Sequence, residues 1–381
     1  MTTYEGCTVN KRIEFLYLSE QDTIAAGVND AARCVEVSEE VFRLLAQGDY
    51  LMGGSNHNSH GIGIIFPKET RFPNMPVAGP DRRFFAMPAY LGGRFDCCGN
   101  KWYGSNQANT AKGQPRSILT VMLNDKETGA PLCLMSANLL SAARTGAVPG
   151  VAIRHLARKD AKVLTVIGCG PINQACLRNI MTQAKGLQKI ICFDLFEEKA
   201  RALAGWAAKT YGLEGVASQD LPEAVGEADL VTVAASRLKP VNLSHSWLKK
   251  GALVMLSGPA QGDREFWTRN RIILDHIELH KAYVEEADAS GDKQGYYRSV
   301  IGGPIYNLID EGVLPKLEAF TSIGQISLGD RQGRENNDES LIFVACGMGV
   351  FDVAWGYEIY QNALRNDIGQ KLLLWDEPAL G

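Results

Sequence analysis

The stretch from Val163 to Asp194, VLTVIGCGPINQACLRNIMTQAKGLQKIICFD, constrains this chain more than any other. An apolar run, Val163 to Ile167, breaks at Gly168-Cys169-Gly170. A helical pattern follows, and a second apolar run, Ile190 to Phe193, ends on Asp194. Strand, glycine turn, helix, strand and acid are the parts of a dinucleotide site. Glycines let the backbone turn sharply and approach a pyrophosphate with no Cβ in the way. Pro171 suits the first helical position, where its missing N–H has no partner inside the helix. Ile172, Cys176 and Ile180 recur at helical spacing and predict one buried face. The free N–H groups and positive dipole end at the helix start favour phosphate, and a carboxylate closing the next strand suits the ribose hydroxyls. Asn173 stands where the third glycine of the motif is expected, which leaves close helix–strand packing to be tested.

Gly168, Gly170, Pro171, Ile172 and Asp194, with the later strand ends at Ala235, Ser236 and Gly258, form the expected cofactor-binding set. Asp194 would repel a 2′-phosphate, and Leu195, Phe196 and Glu197 supply no compensating arginine, so NAD(H) is expected over NADP(H). After Asp194, strands near Val216, Leu230 to Ala235, Leu253 to Ser257 and Ile272 to Asp275 alternate with helices, as in a parallel, doubly wound α/β sheet.

With 381 residues, 45% of them hydrophobic and 22% charged, the chain has the composition of two globular domains. A formal charge of −4 and no long basic run argue against nucleic acid as a partner. The nine cysteines include no CxxC pair, which supports neither a disulfide framework nor a zinc knuckle; reduced thiols in the cytoplasm are expected. The start, MTTYEGCTVNKRIEF, lacks the apolar run of a secretory signal, and Leu341 to Phe351 is too short to span a bilayer.

Ahead of the nucleotide motif the pattern is β-rich. Residues 13–18 read as a strand and Glu20 to Gln47 as a helix stopped by Gly48. Gly53 to Arg83 reads as a long loop carrying one apolar run, Ile62 to Phe66. Residues 101–105, 117–123 and 131–136 read as strands, the last two joined by a turn at Asn124 to Gly129. Asn138 to Ala157 reads as a helix with a kink or break at Pro149. His57 and His60 in the loop, and His276 and His280 four apart, are read as ordinary histidines, with no metal expected. Ala345 to Leu364 is an amphipathic helix whose Phe351, Trp355 and Ile359 stripe suits core packing or a dimer seam.

Several stretches together resemble the ornithine cyclodeaminase/μ-crystallin family: MPAYLGG (87–93), NKWYGSNQANT (100–110), LNDKETGAPL (123–132), LLSAARTGAV (139–148), VIGCGPIN (166–173) and GMGVFDVAWGYEIYQNA (347–363). The resemblance implies a homodimer of two-domain subunits. An N-terminal α+β substrate and dimerisation domain (1–145) is completed by the C-terminal helix (345–381), and a Rossmann domain (146–344) lies between. It implies a nicotinamide cofactor acting on an amino acid or its imine. KWYGS, QPRS, LNDKETG and SAARTG look most like the branch that does opine-type chemistry on N-(2-amino-2-carboxyethyl)glutamate. By position, Lys101 and Arg144 match the residues that hold the substrate carboxylate and form the catalytic pair. Arg116 is the candidate for a second carboxylate. The family's upstream arginine has no clear counterpart near His57 and His60. The cyclodeaminase aspartate should fall in Leu256 to Gln261, where no acid stands and Asp263 is nearest. The pattern therefore favours an NAD-dependent oxidoreductase of C–N bonds. The alternatives are a cyclodeaminase that turns ornithine into proline and ammonia, or a μ-crystallin-like NAD(P)H-binding regulator.

Overall fold

The computed structural model describes residues 11–235 and 240–380. The first half of the chain builds β1 (Ile13–Leu18), α1 (Glu20–Ala25), α2 (Ala31–Gln47), β2 (Tyr50–Met52), β3 (Ile62–Ile65), β4 (Arg83–Leu91), β5 (Cys97–Ser105), β6 (Ser117–Asn124), β7 (Pro131–Ser136) and α3 (Asn138–Leu156). The helical pattern from Glu20 to Gln47 is two helices. Gly27, at φ +93°, ends the first, and the Asp30 carboxylate caps the second by accepting the Arg33 N–H. Gly48 ends α2 in the left-handed conformation, as expected. The apolar run after Gly61 forms β3, so the long loop is partly ordered into the sheet.

α3 runs through Pro149 as one helix, so the break allowed for there does not occur. It is clamped on both sides. A Cβ on Gly146 would lie 2.5 Å from the Ala175 backbone, and one on Gly150 would lie 2.6 Å from the Val35 side chain. Packing on two neighbours offsets the hydrogen bond that proline removes.

The second half builds β8 (Val163–Ile167), α4 (Pro171–Gln183), β9 (Lys189–Phe193), α5 (Glu197–Tyr211), β10 (Glu214–Ser218), α6 (Leu221–Gly226), β11 (Leu230–Val233), β12 (Val241–Leu243), β13 (Leu253–Leu256), β14 (Ala260–Gly262), α7 (Arg264–Thr268), β15 (Arg271–Leu274), α8 (Ile277–Ala289), α9 (Lys293–Ser299), α10 (Gly303–Asp310), β16 (Thr321–Ser322), α11 (Ile323–Leu328) and β17 (Leu341–Val344). The chain then forms α12 (Gly349–Arg365) and β18 (Gln370–Trp375).

Two large sheets result. One is parallel, in the order β10-β9-β8-β11-β13-β17-β15-β16. Its order reverses at β8, and at such a point the loops leaving the strands diverge and open a crevice for a nucleotide. The other is mostly antiparallel, in the order β18-β1-β7-β6-β5-β4-β2, with β3 also on β4. This is the expected α/β class: a doubly wound sheet plus an α+β unit. α12 returns across β4, β5 and β6, where Phe351, Trp355 and Ile359 are all buried. The stripe thus belongs to the subunit's own core: of its two expected uses, core packing is the one found, and it offers no surface for a dimer seam. Among the described residues, no helix is long and apolar enough to cross a membrane, and no disulfide joins the cysteines.

Candidate active site

The glycine turn has the geometry that its sequence predicts. Gly168 adopts φ +86°, and a Cβ there would lie 2.9 Å from the Ala234 carbonyl oxygen and from Ala235 Cα. Gly258 packs on the same residues, its Cβ position 3.0 Å from Ala234 Cα. Gly168, Ala235 and Gly258 therefore meet at the carboxyl ends of β8, β11 and β13, while Ser236 lies outside the described residues. Gly170 precedes Pro171 at the start of α4 and has no atom within 4 Å of its Cβ position, which leaves room for a ligand above the helix N-terminus. Ile172 is half-buried against the core.

Asp194 follows β9 directly and braces the loop. Its Oδ2 accepts the Cys169 N–H at 2.7 Å and its Oδ1 the Phe196 N–H at 3.0 Å, so the acid is aimed at the turn. Asn173 does by hydrogen bonding what the third glycine would do by close packing. Fully buried, it donates from Nδ2 to the carbonyls of Ile167 and Gly168, each at 2.7 Å, and its Oδ1 accepts the Thr232 hydroxyl at 3.1 Å.

The second cluster lies under the antiparallel sheet. Lys101, on the inner face of β5, and Arg144, on α3, are 4% and 5% exposed, and both approach Asp352 of α12. Lys101 Nζ is 3.1 Å from Asp352 Oδ2, and Arg144 Nη2 is 3.0 Å from the same atom. Neither contact is aligned as a hydrogen bond, and Arg144 Nε also has no partner. Lys101 Nζ and Arg144 Nη2 lie 3.5 and 3.4 Å from Ser141 Oγ. Burial, and then the Arg144 charge, push the Lys101 pKa down to about 8 against the opposing pull of Asp352. Two cations sharing one carboxylate leave a surplus positive charge in a low-dielectric place, an arrangement with the chemistry to accept a further anion.

His60 reaches this site and His57 does not. His60 Nδ1 lies 2.9 Å from the Gly347 carbonyl oxygen, and the Gly347 Cβ position is 3.3 Å from Arg144 Nη1. His57 is exposed at φ +58°. Arg116 is not brought to the clamp. It is exposed and pairs with Asp81, next to Ser117, which faces Ser105 four residues along β5 from Lys101.

The His276 and His280 rings have different partners, although the His276 backbone N–H donates to Asp275 Oδ1, the oxygen that the His280 ring also contacts. His276 Nε2 lies 2.6 Å from Tyr50 Oη, and burial lowers its pKa to about 4. His280 contacts Asp275 through Nε2 (2.9 Å) and Tyr306 through Nδ1 (2.7 Å). Asp275, His280 and Cys346 bring ligand-type atoms within 4.8 Å of one another, but both imidazole nitrogens of His280 are committed to these bonds. Asp263 caps α7 by accepting the Phe266 N–H at 2.6 Å.

Sequence reasoning missed Asp352. The available signal was a carboxylate inside an otherwise apolar helix, where burying a charge demands partners.

A doubly wound sheet with an acid-braced glycine turn, and a buried cation pair on the neighbouring elements, is the architecture of a dinucleotide-dependent α/β protein. The chain belongs to the ornithine cyclodeaminase/mu-crystallin family, whose model matches residues 28–367. It is 30% identical over 365 residues to N-((2S)-2-amino-2-carboxyethyl)-L-glutamate dehydrogenase of Staphylococcus aureus, covering 95% of this chain and 99% of that protein. An archaeal alanine dehydrogenase dimer with bound NAD superposes with a TM-score of 0.75 at 26% identity, covering 95% of this chain and all of that one. The Δ1-pyrroline-2-carboxylate reductase of Thermococcus litoralis, solved with NADH and L-proline, shares the fold with a TM-score of 0.77 at 24% identity, over 94% of this chain and all of that one.

Proposed function

We propose that this protein is an NAD(H)-dependent oxidoreductase that makes or breaks the C–N bond beside a carboxylate in an amino acid derivative, by imine reduction or opine-type amine oxidation. The observation that carries this reading is the buried pair of Lys101 on β5 and Arg144 on α3 over one carboxylate, with α3 packed directly against α4, the helix that follows the glycine turn. A bound nicotinamide supplies or accepts the hydride. Arg144 offers a planar fork to the substrate carboxylate and Lys101 a compact charge. Together they fix the neighbouring carbon in one orientation and leave the imine nitrogen free to take its proton. Gly168, Gly170, Pro171, Ile172, Asp194, Ala235 and Gly258 are the candidate cofactor contacts, Ser236 among them by sequence alone.

The absence of an acid from Leu256 to Gln261, and the use of Asp263 as a helix cap, argue against ornithine cyclisation. The test is NADH oxidation with a panel of 2-oxo acids and amines and with a cyclic imine acid. Turnover with at least one is expected. Binding of NADH with no turnover on any of them would instead make the protein a μ-crystallin-like binder, and proline and ammonia from ornithine would make it a cyclodeaminase.

The proposal includes a cytoplasmic homodimer, with substrate and dimerisation functions in 1–145 and 345–381 and cofactor binding in 146–344. The outer face of the antiparallel sheet supports the dimer. Strand register aligns Ile64, Phe84, Gly104 and Ile118 in one cross-strand row, with Trp102 and Met122 on the same face and all five side chains exposed. An apolar sheet face of this extent suits a second copy of itself.

A further inference from the structure

The inner face of β4 and β5 carries a second charged cluster that the mechanism above leaves unused. Arg83 Nη2 lies 3.0 Å from Asp81 Oδ1, Arg116 pairs with Asp81 Oδ2, and the Ser105 hydroxyl donates to that same oxygen at 2.6 Å. Two cations again share one carboxylate, here two guanidinium groups, with one positive charge in surplus as at Lys101 and Arg144. Strand register places both clusters on one face, with Met87 opposite Lys101, Phe85 opposite Tyr103 and Arg83 opposite Ser105.

Between the clusters, the Phe85 and Tyr103 rings stack with centroids 5.7 Å apart. Lys101 Nζ lies 5.6 Å from the Tyr103 centroid, and the Arg83 guanidinium lies 5.3 Å from that of Phe85. The face is an aromatic floor with a cationic cluster at each end. Arg83 Nε is buried and has no hydrogen-bond partner, which is costly for a charged donor unless a ligand satisfies it.

We propose that Arg83, together with Arg116, binds a second substrate carboxylate, so that the enzyme takes a dicarboxylate lying along the Phe85–Tyr103 floor from the Lys101–Arg144 clamp. This deepens the functional reading above and rests on it. Lys101 and Ser105 are four residues apart on β5, about 14 Å at 3.4 Å per residue. A five-carbon diacid is too short to bridge that distance. Two amino acid skeletons joined through nitrogen fit.

The test is a calorimetric ruler on the full-length protein with NAD+ present. Straight-chain α,ω-dicarboxylates from glutarate to sebacate are titrated beside monocarboxylates of equal length. Diacid affinity is expected to peak near suberate, at about tenfold or more above the matching monoacid. Arg83→Leu and, independently, Arg116→Met should each cut that advantage below about threefold, with Arg83→Lys keeping part of it. Arg116 is exposed, so its variant reports even if Arg83→Leu misfolds. Equal affinities at every length, or an advantage that survives both substitutions, overturns the proposal. NADH turnover with imines but no diacid advantage would sink the second site and leave the functional reading standing. A diacid advantage that both substitutions erase, in a protein that reduces no imine, would uphold the site and sink the reading.

Discussion

Lys101 of β5 and Arg144 of α3 converge on one atom, Oδ2 of Asp352, at 3.1 and 3.0 Å. The pair is therefore built before any ligand arrives, and its charge is only half neutralised. Removing either member of such a buried charge group costs about 2–5 kcal/mol. Lys101→Met and Arg144→Leu should each lower kcat/KM for the best imine by roughly two to three powers of ten. NADH affinity, set by the turn at Gly168, should stay within a few-fold. A variant that loses NADH binding together with activity would reassign that residue to the fold.

The pH profile separates two uses of Lys101. Its pKa is lowered to about 8, chiefly by burial. If the ammonium holds the carboxylate, kcat/KM for imine reduction is level below that value and falls above it, and Lys101→Met lacks this limb. A rise through pH 8 would make the neutral amine a base instead. The same shift affects stability. From about 8 to the ordinary 10.5, the unfolded chain keeps a proton that the folded chain has lost, so wild-type stability relative to Lys101→Met should increase with pH over that interval. Thermal melts across the range check the sign.

The cofactor preference rests on Asp194, whose carboxylate is held by the Cys169 and Phe196 N–H groups. NADH should bind more tightly than NADPH, and Asp194→Ser should narrow the difference by roughly 1–3 kcal/mol as like-charge repulsion with the 2′-phosphate is removed. Fluorescence titration with both nucleotides measures it. Tighter NADPH binding by the wild type would refute the assignment.

Dimerisation through the outer sheet face predicts that Trp102→Glu or Ile118→Lys yields a monomer by light scattering at micromolar concentration, whereas the unsubstituted protein is a dimer. A dimer that tolerates both charges would move the interface elsewhere.

Ornithine should be a poor substrate. With NAD+ supplied, proline formation above about 1 per second, an ordinary enzyme rate, would show that another acid replaces the one missing from Leu256 to Gln261.

What the sequence determined by itself is local. A strand, Gly168 at positive φ, Pro171 at the helix start and Asp194 at the next strand end lie within one continuous stretch. Their backbone requirements are short-range, so the nucleotide turn was legible before any tertiary contact was known. So were the stops at Gly48 and the hairpin turn at Asn124 to Gly129. Lys101 and Arg144 were named by family resemblance, which carries position but not partners.

Only the tertiary structure decided the rest. Asp352 meets Lys101 and Arg144 because α12 folds back across β4, β5 and β6 after the whole parallel sheet has intervened. That same return buried Phe351, Trp355 and Ile359 inside the subunit and left the outer sheet face as the apolar surface. Alternation along β4 puts Arg83 on the clamp's face, opposite Ser105, whereas Arg116, just ahead of β6, joins it through Asp81, which both arginines share. A sequence specifies which residues can turn, cap or alternate, since those are properties of neighbours in the chain. Which buried charge finds which counter-charge is fixed by the packing of distant segments, where leaving either one unpaired is too costly for the fold to permit.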